Sequence, residues 1–130
     1  MAGNKYLLDT NIISAWLSGE KTIADKIDAA TAIYIPLIVI GELYYGAFYS
    51  EQKQKNIHDI EKLARRYKVL LADKETAKEY GKIKAALRKK GRPIPENDVW
   101  IAAMAVQHKT VLATRDNHFK EVATLKTVKW

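Results

Sequence analysis

The chain contains no cysteine. Disulfides, zinc–thiolate sites and cysteine nucleophiles are therefore excluded. Proline accounts for only three of the 130 residues and glycine for six. There is no glycine-rich phosphate loop and no Gly-x-Ser-x-Gly nucleophile elbow. No segment reaches the roughly 18 apolar residues that span a bilayer, and the apolar stretch Tyr34–Ile40 is interrupted by Pro36. The opening Met-Ala-Gly-Asn-Lys leads straight into a strand-like run and does not fit a signal peptide, so a cytosolic protein with no membrane attachment is expected. Repeats, low-complexity tracts and Gly/Ser linkers are also missing, and residues 1–130 read as a single domain.

Apolar residues make up 48% of the chain and charged residues 28%, which suits a packed globular core rather than a disordered tail or a rod. Twenty-two lysines and arginines against fifteen acids leave a net charge of +7. A surplus of this size favours an anionic partner.

The pattern alternates strand and helix. Lys5–Leu8, Ala32–Ile35, Val69–Ala72 and Thr110–Thr114 read as short buried strands, and Leu125–Lys129 as a last one. Between them, Ile12–Leu17, Thr22–Ala30, Leu37–Tyr49, Gln52–Tyr67, Lys74–Lys90 and Asn97–His108 carry helical spacing. Gly91 stops the fifth helix, and Arg92-Pro-Ile-Pro95 forms a rigid loop after it. Alternation of this kind predicts an α/β fold, a parallel sheet sandwiched by helices, with ligands bound outside the carboxyl ends of the strands.

Most of the acids, including Glu20, lie on polar faces of charged helices, and Asp73 and Glu121 read as plain loop or turn acids. Four others have unusual surroundings. Asp9 directly follows the first strand. It has a reading as a helix cap, but Thr10 and Asn11 are each suited to that role, which leaves the aspartate surplus. Glu42 is the sole charge in Ile38–Tyr45; an ionised carboxylate in an apolar helix is costly unless paired or metal-bound. Asp98 opens an otherwise apolar helix; the dipole favours an acid there, though Glu96 serves that purpose equally. Asp116 comes two residues after the fourth strand and is also placed to cap a turn.

In a parallel sheet the carboxyl ends of the strands share one edge, so Asp9 and Asp116 belong together. Asp98 follows the loop that returns the chain to that edge, and Glu42 lies about a turn and a half into the helix after the second strand. Four converging carboxylates repel one another, which raises their pKa values. A hard divalent cation such as Mg²⁺ relieves that repulsion and suits metal-assisted attack of water on a phosphodiester. A receiver domain would need adjacent acids after its first strand, whereas Asp9 is followed by Thr10 and Asn11.

Leu7-Leu-Asp-Thr-Asn11, Gly41-Glu-Leu-Tyr-Tyr-Gly46, Asn97-Asp-Val-Trp-Ile-Ala-Ala103 and Thr114-Arg-Asp-Asn-His-Phe119 resemble the motifs of PIN-domain ribonucleases. They are most similar to the VapC toxins of toxin–antitoxin pairs, and the resemblance covers the whole chain. It implies RNA cleavage dependent on Mg²⁺ or Mn²⁺, a VapB-like antitoxin partner and a homodimer. By motif, Asp9, Glu42, Asp98 and Asp116 match the acidic quartet, and Thr10 matches the hydroxyl residue beside the first acid. Asp9, Asp98, Asp116 and Glu42 are then the expected metal residues: Asp9 and Asp98 as main ligands, Asp116 completing the shell or holding a second ion, and Glu42 also orienting or deprotonating water. Gly41 stands where a serine or threonine is common, and Arg115-Asp116 where Asn-Asn or Asn-Asp is frequent. A PIN nuclease of RNA processing outside toxin systems and a non-catalytic RNA-binding module remain open at this stage.

The basic residues form two runs: Arg65, Arg66 and Lys68, then Lys84, Arg88, Lys89, Lys90 and Arg92. Either is a solvated helix face or a phosphate-tracking rim. Arg92 and Arg115 are the candidates for contact with substrate near the acids. His58, His108 and His118 show no ligand spacing and none is assigned to a metal, though His118 is placed to touch RNA. Tyr44, Tyr45, Phe48 and Tyr49 cannot all face inward from one helical stripe, so some are expected in a groove or a dimer contact.

Overall fold

The computed structural model describes residues 5–130. Five strands, β1 (Lys5–Leu8), β2 (Ala32–Pro36), β3 (Lys68–Leu70), β4 (Val111–Ala113) and β5 (Thr127–Val128), form one sheet in the order β3-β2-β1-β4-β5. Every pairing is parallel. Six helices accompany it: α1 (Thr10–Leu17), α2 (Lys21–Ala29), α3 (Leu37–Phe48), α4 (Lys53–Arg66), α5 (Lys74–Lys90) and α6 (Glu96–Gln107), with a short 3₁₀ turn at Asn117–Glu121. The α/β expectation holds. Among the described residues, no helix is long and apolar enough to cross a membrane.

The strand order matters for the site. From β1 the chain steps outward through β2 to β3, then returns to place β4 on the other side of β1. The reversal falls between β1 and β4, and sheets of this kind bind ligands at the carboxyl ends of the strands that flank such a switch. Leu7 and Leu8 of β1 and Leu112 and Ala113 of β4 are fully buried, which fixes those two ends rigidly. The Asp9 amide donates to the Ala113 carbonyl at 3.0 Å and so joins the two exits.

α6 runs through the core: Val99 and Ile101 through Ala105 are all buried, so its apolar character on every side reflects burial rather than a membrane. α5 lies antiparallel to it. Tyr80 stacks on Trp100 with ring centroids 4.0 Å apart, Lys84 pairs with Glu96 at 2.6 Å, and Thr76 bonds Gln107 at the opposite end. Asp73 is more than a loop acid. It caps α5 in a reciprocal capping box with Thr76 and also accepts from the Gln107 amide at 2.8 Å. Gly91 ends α5 in the left-handed region (φ 71°), where a side chain would be strained.

Several boundaries move from the sequence reading. β3 starts one residue early and stops at Leu70, because Leu71 is 65% exposed and takes no part in the sheet. β5 shrinks to two residues. α1 begins at Thr10, so Thr10 and Asn11 lie inside its first turn and Asp9 is its cap. The α3 aromatics divide: Tyr44 packs on the core, while Tyr45, Phe48 and Tyr49 face outward.

Candidate active site

Asp9 has two tasks. Its Oδ1 accepts the Thr10 amide at 2.8 Å and caps α1. Its Oδ2 accepts the Thr114 hydroxyl at 2.6 Å and the Asn11 side-chain amide at 3.2 Å. The aspartate is therefore not surplus to capping: Thr10 and Asn11 turn their side chains elsewhere. The Thr10 hydroxyl donates to Glu42 Oε1 at 2.7 Å, and the Asn11 Oδ1 accepts the Arg115 amide at 3.1 Å. These bonds tie the exits of β1, β2 and β4 together.

Asp116 caps the 3₁₀ turn. Its carboxylate accepts the His118 amide at 2.9 Å, and its own amide donates to the Thr114 hydroxyl oxygen at 3.0 Å. Phe119, one residue beyond His118, is fully buried and anchors the turn. Asp98 sits in the first turn of α6 behind Pro95, with its side chain only 13% exposed. The His118 Nδ1 lies 2.9 Å from Asp116 Oδ1 and 3.9 Å from Asp98 Oδ2. One donor atom from each of Asp98, Asp116 and His118 falls within 4.8 Å of the others.

Among the described residues, none of the four carboxylates is ion-paired to a lysine or arginine. Burial, then the charges of Asp9, Asp116 and Glu42, push the Asp98 carboxyl up to about 6, against the opposing influence of His118. Burial also raises the Asp9 pKa. The bonds from Thr114 and Thr10 work against that rise, and Glu42 and Asp116 add to it. Uncompensated negative charge at a sheet edge is what a cation site requires, and the oxygen donors suit a hard divalent ion.

The two arginines read as candidates for substrate contact make no side-chain bond to the four acids among the described residues. Arg115 turns its guanidinium onto Glu20, at 3.2 and 2.5 Å, and onto the Trp130 carbonyl at 3.3 Å. Its fork matches a carboxylate, so Glu20 is a partner rather than a solvated acid. Arg92 is exposed and bonds through its backbone amide to the Leu87 carbonyl; among the described residues its side chain makes no hydrogen bond or ion pair with the acids. Of the basic runs, Arg66 sits over Tyr67, Lys84 is paired with Glu96, and Lys90 with Glu121. A groove of about 440 Å³ leads from Thr10 and Glu42 past Gly46 to Asn56 of α4.

Sequence reasoning gave no role to Thr114 and assigned His118 to no metal. Thr114 has no local signal, because its partner Asp9 is 105 residues away. His118 did carry one: it lies two residues from Asp116 and directly before the apolar Phe119.

The profile of the PIN domain matches residues 6–125. The chain belongs to the PIN-domain family. It is 35% identical over 130 residues to ribonuclease VapC1 of Haemophilus influenzae strain R2866, covering 96% of this chain and 97% of that one. It is 30% identical to the tRNA(fMet)-specific endonuclease VapC of Shigella flexneri, with 97% and 98% covered. In three dimensions it is similar to the DNA-bound VapBC complex of Salmonella typhimurium (TM-score 0.91, 29% identity, 97% and 98% covered) and to VapBC-1 of nontypeable H. influenzae (TM-score 0.89, 34%, 97% and 98%). As a VapC-type PIN domain, the chain carries Asp9 and Asp116 just past the carboxyl ends of neighbouring strands of a five-stranded parallel sheet.

Proposed function

We propose that this PIN domain is a divalent-metal-dependent endoribonuclease and the toxin of a VapBC-type pair. The observation that carries the reading is the gathering of Asp9, Glu42, Asp98 and Asp116 at one edge, with no neutralising lysine or arginine among the described residues. The names of its relatives, ribonucleases and VapBC complexes, support the substrate class and a VapB-like antitoxin partner. A homodimer accompanies that reading, and the outward Tyr45, Phe48 and Tyr49 face of α3 supports a protein contact.

Asp9, Asp98 and Asp116 would hold the cation, Mg²⁺ or Mn²⁺. Held there, such an ion would supply Lewis-acid stabilisation of charge on the scissile phosphate. The Thr10 hydroxyl occupies Glu42 Oε1 and leaves Oε2 to accept a proton from water. The water oxygen bonds to phosphorus as the bond from phosphorus to O3′ breaks. The departing O3′ takes a proton from solvent, which leaves a 3′-hydroxyl and a 5′-phosphate. Thr114 and Asn11 hold Asp9 in place throughout.

The test is cleavage of total RNA by tag-free wild type and Asp9→Asn, with Mg²⁺ and with EDTA. Cleavage by the wild type with Mg²⁺ alone supports the reading. Equal rates with Mg²⁺ and EDTA overturn it.

A further inference from the structure

Among the described residues, His118 is the one imidazole grouped with the acids at this edge. Its backbone is held on both sides: its amide bonds to Asp116, and Phe119 is buried beside it. Among the described residues, its ring is paired with no side chain other than these acids. The side chain is 57% exposed, and Nδ1 faces the carboxylates of Asp116 at 2.9 Å and Asp98 at 3.9 Å. Those three donors lie within 4.8 Å of one another, close enough to share a single ion.

A nitrogen ligand discriminates between cations. Mg²⁺ takes oxygen ligands and releases its waters reluctantly, so an imidazole adds little to its binding. First-row transition ions accept nitrogen more readily, and their affinities for mixed nitrogen and oxygen sites rise from Mn²⁺ through Co²⁺.

We infer that His118 is a metal ligand in this chain, completing a mixed site with Asp98 and Asp116 that favours Mn²⁺ and Co²⁺ over Mg²⁺. This rests on the reading of the acids as a cation site and adds the residue that sets its selectivity.

The experiment is calorimetric titration of tag-free, EDTA-stripped full-length protein at pH 7.5 with Mg²⁺, Mn²⁺ and Co²⁺ in turn. Wild type, His118→Asn and, as a control for exposed histidine, His108→Asn are compared, with circular dichroism confirming that each is folded. The expected result is a loss of about tenfold or more in Mn²⁺ and Co²⁺ affinity for His118→Asn, a change of less than about twofold for Mg²⁺, and wild-type behaviour for His108→Asn. Equal weakening for all three ions would mean that His118 only positions Asp116, and would overturn the inference. So would unchanged binding. Wild type that binds none of the ions would instead overturn the cation site itself, a pattern distinct from either.

Discussion

The Thr114 hydroxyl donates to Asp9 Oδ2 at 2.6 Å while its oxygen accepts the Asp116 amide at 3.0 Å. One buried side chain at the end of β4 thus joins two acids that lie more than a hundred residues apart. Replacing it with valine keeps the shape and removes both bonds, leaving polar groups underpaired. Thr114→Val should lose about 1–3 kcal/mol by urea denaturation, with RNA cleavage reduced, and Thr114→Ser should restore both. A valine variant as stable and as active as wild type would show that the bridge does not matter.

How much of this was legible in the sequence follows from where each signal lies. Asp9 and Asp116 were readable because each sits just past a run that burial makes a strand. Glu42 was readable because it is a lone charge in an apolar helix. What escaped depended on contacts between distant segments. Nothing near Thr114 points to Asp9, nothing near Arg115 points to Glu20, and Asp73 meets Gln107 across the α5–α6 pair. Thr10 and Asn11 are good caps by type, but their side chains are taken by Glu42 and Arg115, so the capping falls to Asp9.

Asp98 gives stability a pH dependence of unusual sign. Its pKa in the fold is about 6, above the ordinary 3.8. The folded state therefore holds the proton more tightly than the unfolded chain does. In EDTA, stability should be highest near pH 4 and fall as pH rises to about 6, by up to roughly 3 kcal/mol. Asp9, also raised by burial, acts in the same direction. Denaturation across this range should show the decline, and Asp98→Asn should flatten it. Stability that instead rises from pH 4 to 6 by the same amount in both proteins would contradict the crowding of these acids.

The 3₁₀ turn depends on Phe119, which is fully enclosed. Phe119→Ala should cost about 3–5 kcal/mol, visible in the denaturation midpoint. Phe119→Leu should cost less and keep more of the activity, because it refills most of the cavity. Equal stability for the alanine variant would mean that the turn is held by other contacts.

Among the described residues, the Glu42 carboxylate is hydrogen-bonded through the Thr10 hydroxyl alone. Glu42→Gln removes the proton acceptor and nearly keeps the shape. It should reduce cleavage by about 10²–10⁴-fold, while calorimetry shows divalent binding by Asp98 and Asp116 largely retained. Undiminished cleavage would remove Glu42 from the chemistry.

The most direct measurement is anomalous diffraction from crystals grown with Mn²⁺. A single strong peak should lie within coordinating distance of the Asp98 and Asp116 carboxylates, beside Asp9, at the edge where β1 and β4 end. Saturating Mn²⁺ with no peak there, or with its only peak on another face, would contradict the idea that these acids are gathered to hold a cation.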